Sequence, residues 1–116
     1  MILDEMLVTS DVLIEEINLT YRRLNAAAVD LARAERELTE HIRKVRLDNA
    51  EAILEARNER TARLYLDGLL DTEEHRRLEN DRARAELDLQ HAKREVERLH
   101  LIVRMLGMRV GEGIQG

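Results

Sequence analysis

Apolar residues recur along the first half of the chain, from Ile14 onward, at alternating steps of three and four. This spacing is the heptad pattern of a helix whose apolar edge packs against a neighbouring helix. The chain contains no proline, so we expect one helix over 10–66, although Glu35, Asn49 and Glu59 interrupt its edge. The predicted edge residues are Ile14, Ile17, Tyr21, Leu24, Ala28, Leu31, Leu38, Ile42, Val45, Ala52 and Ala56.

A short connection follows the first helix. Gly68 can adopt the left-handed conformation that ends a helix, and Asp71 or Thr72 can accept hydrogen bonds from the free amides of the next one. We therefore expect a turn at 67–71 and a second helix over 72–107. Its predicted edge residues are Leu78, Arg82, Ala85, Leu89, Ala92, Val96, Leu99, Val103 and Leu106.

So short a connection makes two helices antiparallel neighbours. The predicted fold is all-α, a long antiparallel helical hairpin (coiled coil) assembled into a helical-bundle oligomer. Folding the chain about residue 69 sets Ile42 near Val96. The second helix then reaches back only to about residue 32, and the apolar positions from Leu13 to Ala28 need a second copy to cover them.

The two chain ends are expected to differ from the hairpin between them. Residues 1–9 form an N-terminal apolar segment or short helix, residues 10–107 form the hairpin, and residues 108–116 form a flexible glycine-containing tail. We expect helix pairing, and with it interaction, to be carried by Leu24, Leu31, Leu38, Ile42, Val45, Leu89, Val96, Leu99, Val103 and Leu106.

Composition narrows the function classes. Charged residues make up 37% of the chain and cysteine is absent, which is typical of long helices and excludes disulfides and thiolate metal sites. No stretch approaches the roughly 20 apolar residues of a membrane span. The first residues include Asp4 and Glu5 where a signal peptide has a basic start. We expect a cytoplasmic protein with no membrane contact.

Candidate catalytic chemistry is sparse. Glu97 and His100 have the Glu-x-x-His spacing of di-iron bundles, but only one copy is present. The expected hairpin register places His41 near Glu97, which would permit a surface zinc site. A solvated ion pair at helical spacing is the favoured interpretation, so we predict no catalytic residue, no metal and no cofactor.

Arginine dominates the positive charge. Six basic residues lie between Glu40 and Leu66, against five acids, and more arginines follow the turn. Interleaved acids such as Glu59, four residues before Arg63, favour a solvated ion-pair face, and the net charge of −5 argues against phosphate binding. The candidate nucleic-acid contacts are Arg43, Arg46, Arg57, Arg60, Arg76 and Arg77.

The segment from Ala62 to Arg76, ARLYLDGLLDTEEHR, and the close VRMLGMRV at 103–110 resemble small helical-hairpin proteins of tailed bacteriophages of actinobacteria. In those proteins an aromatic-leucine pair ends a long helix, and a glycine turn leads to a threonine or serine cap. Here an extra Leu69-Leu70-Asp71 separates the glycine from the cap. The resemblance implies a phage accessory protein in the host cytoplasm, with a role in DNA metabolism or binding to a phage or host protein.

Taken together, the patterns predict a non-enzymatic coiled-coil interaction protein that self-associates as a homo-oligomer and presents helix surfaces to a partner. The alternative is a nucleic-acid-binding accessory factor in phage DNA replication or recombination.

Overall fold

A computed structural model describes the backbone of residues 2–115 and the side chains of residues 11–107. Four helices follow one another along the chain: α1 (Ile2–Asp48), α2 (Ala50–Leu54), α3 (Glu59–Leu69) and α4 (Glu73–Gln115). No strand occurs within residues 2–115, so the predicted all-α fold is confirmed. Among the described helices, none combines the length and apolar character that crossing a bilayer requires.

The helices are divided between two compact units. The first joins α1, up to Ala28, to α4 from Leu87 onward, and the second contains Val29–Glu86. Because both chain ends belong to one unit and the middle of the chain to the other, α1 and α4 have the antiparallel connectivity of a hairpin.

In the first unit, α4 contacts α1 around residues 20–27. The Tyr21 hydroxyl lies 2.6 Å from His100 Nε2, and the side chains of Thr20 and Ala27 are buried. The prediction that the second helix reaches back only to about residue 32 is therefore wrong, although Ile14, Tyr21 and Ala28 of the predicted edge stay exposed.

The predicted continuous helix over 10–66 is also wrong, because α1 ends at Asp48. The Asn49 side-chain amide donates to the Val45 carbonyl at 2.9 Å and so occupies an acceptor that the continuing helix would use. A polar side chain that bonds the backbone locally competes with helical hydrogen bonding. The predicted edge residues Ala52 and Ala56 consequently lie beyond the end of α1.

A second break separates α2 from α3. Asn58 has extended backbone angles, with φ −158° and ψ 173°, and its side-chain oxygen accepts from the Thr61 amide at 2.8 Å. This is N-capping, which supplies an acceptor to a free amide of the first helical turn. The chain can therefore begin a new helix at Glu59 and fold α3 back on α2, which it contacts.

The connection between α3 and α4 lies close to its predicted place, but Gly68 does not form it. Gly68 lies inside α3, and no described residue has a positive φ, so the glycine does not end the helix in the left-handed conformation. Thr72 caps α4, with its hydroxyl accepting from the His75 amide at 3.2 Å. Asp71 instead accepts from Arg76 at 2.7 Å.

The edge of α1 is shifted by one residue at three of its positions. The predicted Tyr21, Ala28 and Glu35 are exposed, and the residue before each of them is buried: Thr20, Ala27 and Ala34. On α4 the buried residues again include two alanines, Ala85 and Ala92, whereas the predicted Arg82 is exposed. Small residues at these positions let helix axes approach closely, so the core forms around them.

The residues of α1 and α4 that lie opposite each other are not the predicted ones. In the second unit the ring centre of His41 lies 5.5 Å from that of His75, whereas folding about residue 69 placed His41 near Glu97. The reason is that residues 49–72 do not extend the α1 and α4 pair but form α2, α3 and their connections.

The chain ends also differ from expectation. α1 runs from Ile2 without a break at 9–10, and α4 continues to Gln115 through the segment predicted to be a flexible tail. Met1 and Gly116 lie outside the described residues.

Candidate functional site

An open apolar groove lies in the second unit, where the end of α1 meets α2 and α3. Its volume is about 510 Å³. Leu47 comes from α1, three apolar residues come from α2, and Ala62 and Leu66 come from α3. Charged side chains form the remainder of the lining. In full, the groove is lined by Arg46, Leu47, Ala50, Ile53, Leu54, Glu59, Ala62, Arg63 and Leu66. We call this set the tip groove.

The apolar surface of the tip groove continues along α1. A second depression of about 470 Å³ shares Arg46 and Leu47 with the tip groove and adds Thr39, Ile42 and Arg43. Two arginines of α1 therefore stand beside an apolar floor. This combination suits a ligand that has both apolar and negatively charged groups.

The leucines of this region are unusually open to solvent. Leu54 is 83% exposed and Leu47 is 63% exposed, and neither α2 nor α3 contains a fully buried residue. Single exposed apolar residues are ordinary on a protein surface, but a cluster of them rimmed by charges is typical of an interaction site. The lining of the tip groove combines apolar area with charged side chains, which suits binding.

All six arginines that the sequence marks as candidate nucleic-acid contacts are exposed in the second unit: Arg43, Arg46, Arg57, Arg60, Arg76 and Arg77. Within residues 11–107, Arg76 is the one member of this set that forms an ion pair. Glu59 and Arg63, which have ion-pair spacing, both line the tip groove without pairing. The expected network of interleaved ion pairs is therefore sparse in the described part of the chain.

The residues predicted to carry helix pairing differ in how exposed their side chains are. Val103 is 40% exposed, and the neighbouring Ile102 is half-buried in its place. The other nine are half-buried: Leu24, Leu31, Leu38, Ile42, Val45, Leu89, Val96, Leu99 and Leu106. The buried residues of the two long helices are mostly small, and they are joined by His75 and Leu78.

The zinc site considered from the sequence does not form around Glu97, because His41 faces His75. His41 belongs to the second unit. Glu97 and His100 belong to the first unit, where His100 contacts Tyr21. Within the described residues, no group of three or more histidine, cysteine or acidic side chains is close enough to hold a metal ion together.

Sequence reasoning missed the tip groove because it extended one helix through residues 49–58. Two signals were present. Asn49 and Asn58 are residue types that cap helices, and Leu47 and Leu54 lie off the main apolar edge.

The chain was compared with protein-family models, with curated proteins and with solved structures. None of the three comparisons found a match. The resemblance of the segment from Ala62 to Arg76 to actinobacterial phage proteins therefore stays a prediction.

Proposed function

We propose that this protein is a non-enzymatic helical interaction protein that self-associates by docking the acidic N-terminal part of α1 of one copy into the tip groove of another. The observation that carries the proposal is the groove itself, where highly exposed leucines stand beside arginines. Burying such leucines contributes roughly 1.5–3 kcal/mol each, which is enough to support association if several are covered at once.

Charge complementarity selects the second copy as the occupant. The first 21 residues contain five acids and no lysine or arginine. On α1, Val12, Glu15, Glu16 and Leu19 have the spacing of a single helix face, and all four are exposed. This acidic apolar face matches the tip groove, whose lining includes Arg46 and Arg63. Opposite charges around an apolar centre set the orientation of docking.

The surface of α1 that we propose for self-association is not the one that the sequence predicted. Part of the inner edge of α1 is already covered within the chain, since Thr20 and Ala27 are buried. The exposed face of residues 11–21 remains available, and it carries acids without a lysine or arginine. The proposal therefore concerns exposed surfaces of a folded chain.

Sedimentation equilibrium over a range of protein concentrations tests the proposal. We expect a mass that rises above that of the monomer at micromolar concentrations. Leu54→Asp places a charge on the groove floor and should shift association to at least tenfold higher concentration. Leu87→Asp is the matched control, because Leu87 is 65% exposed on α4 outside the groove, and it should leave association unchanged.

A charge exchange tests the direction of docking. Arg46→Glu with Arg63→Glu should weaken association, and so should Glu15→Arg with Glu16→Arg. Mixing the two double variants should restore assembly between them, because each then supplies the charge that the other requires. A wild-type chain that stays monomeric at all concentrations, or a mixture that shows no recovery, would contradict the proposal.

A phage accessory role and a phage or host protein as further partner rest on the sequence resemblance. The tip groove would then serve a foreign amphipathic helix in place of the N-terminal face of α1. A monomeric protein that nonetheless binds an acidic amphipathic peptide through Leu54 would favour that arrangement over self-association.

A second candidate function is nucleic-acid binding. It is favoured by the exposed arginines around the tip, most of which have no ion-pair partner in the described part of the chain. It is opposed by the composition of residues 29–86, where fifteen acids outnumber twelve basic residues. Affinity for single- and double-stranded DNA at two salt concentrations decides the matter, since a phosphate binder must weaken steeply with salt.

A further inference from the structure

Two histidine rings meet inside the second unit, where α1 faces the first turns of α4. The ring centres of His41 and His75 are 5.5 Å apart and the ring planes are tilted by 30°. His75 is 8% exposed, and His41 is half-buried. Neither residue belongs to the tip groove.

The hydrogen bonding of His75 fixes which of its nitrogens carries the hydrogen. Its Nε2 lies 2.9 Å from a carboxylate oxygen of Glu79. A carboxylate only accepts, so Nε2 is the donor and the neutral ring presents a lone pair at Nδ1. That Nδ1 is buried and has no hydrogen-bond partner, and within the described residues the same holds for His41 Nε2. Buried polar nitrogens without partners are rare in folded proteins.

We infer that His41 and His75 bind a divalent late transition-metal ion such as Zn²⁺, through Nε2 of His41 and Nδ1 of His75. Imidazole nitrogens are preferred ligands of these ions. Two imidazoles that share a tetrahedral ion at roughly 2.0–2.1 Å have ring centres about 5 Å apart, close to the separation observed here. Glu79 behind His75 acts as the carboxylate that commonly orients a metal-bound imidazole.

The protein supplies two ligands and leaves the others to solvent. No third histidine, cysteine or acidic side chain joins them in the described part of the chain, so water completes the coordination. A site of this kind binds more weakly than a four-ligand structural zinc site. Because its two ligands come from α1 and α4, a bound ion ties the two helices together and stabilises the folded chain by mass action.

The experiment is a titration of the full-length protein with ZnCl₂ at neutral pH, followed by calorimetry and by thermal unfolding with circular dichroism. We expect one ion per chain and a rise in the unfolding midpoint of about 10 °C when free metal exceeds the dissociation constant about 100-fold. EDTA should reverse the rise. His41→Gln and His75→Gln should each abolish it.

Two further variants keep the test decisive. His91→Gln is the matched control, since His91 lies 4.0 Å from Glu95 at the same helical spacing but its side chain is 76% exposed. It should bind zinc as the wild type does. Glu79→Gln alters an exposed carboxylate and keeps both ligands, and should weaken binding about 10-fold or more. A midpoint that does not respond to zinc, or an equal loss in His75→Gln and His91→Gln, would overturn the inference.

Discussion

Two parts of the second unit differ in how many residues they bury. In the paired part α1 packs against α4, and in the tip α2 contacts α3. The paired part buries four residues, Ala34, His75, Leu78 and Ala85. The tip buries none, although it contains Leu54 and Leu64. Apolar content therefore does not by itself decide where the core forms. Ala34 and Ala85 are buried where the long helices approach each other, whereas Leu54 and Leu64 on the two short helices stay exposed to solvent.

The largest expected effect separates a leucine of the paired part from a leucine of the tip. Leu78→Ala removes a side chain that is 6% exposed and should lower the free energy of unfolding by about 2–5 kcal/mol. Leu64→Ala removes one that is 63% exposed and should change it by about 0.5 kcal/mol or less. Urea unfolding of both variants measures the difference. Equal losses in the free energy of unfolding would contradict the contrast between the paired part and the tip.

A smaller effect is expected from enlarging a small residue of the core. Ala85→Leu adds volume where the residue is buried, and the overpacking should cost about 1–3 kcal/mol. Ala83→Leu is the matched control, because Ala83 is exposed on the same helix. It should change the free energy of unfolding by about 0.5 kcal/mol or less. If Ala85→Leu were as well tolerated as Ala83→Leu, close approach through small residues would not be what forms the core.

The smallest expected effect is a gain at the tip. Gly68 lies within α3 without a positive φ, and a Cβ added there meets no atom within 4 Å. Gly68→Ala should therefore raise the free energy of unfolding by about 0.5–1 kcal/mol through better helix propensity. Urea unfolding measures the change. A loss of stability would indicate that the glycine is required for the turn after all.

Much of the fold is predictable from local rules. The alternating three and four spacing identifies α1 and α4 and, for Leu24, Leu31 and Leu38, the side of α1 that turns inward. Thr72 is one of two residues predicted to cap the second long helix, and its hydroxyl does so. These features depend on residues within a turn or two of each other, which is why a single sequence reveals them.

The candidate site is less predictable. The tip groove exists because α1 stops at Asn49 and α3 starts after Asn58, and each break depends on whether a side-chain amide outcompetes a helical hydrogen bond. The apolar periodicity that runs past Asn49 gives no sign of that outcome. The pairing of His41 with His75 is hidden as well, because the two residues are 34 positions apart in the chain.

The sequence by itself determined that this chain is helical, that its two long helices have an apolar edge, and that a capped turn precedes the second of them. Only the tertiary structure decided the register of those helices, the choice of Ala27 over Ala28 as a buried residue, and the exposure of Leu47 and Leu54. The physical reason is that helix propensity and periodicity are local, whereas register and burial depend on how closely two distant surfaces can approach.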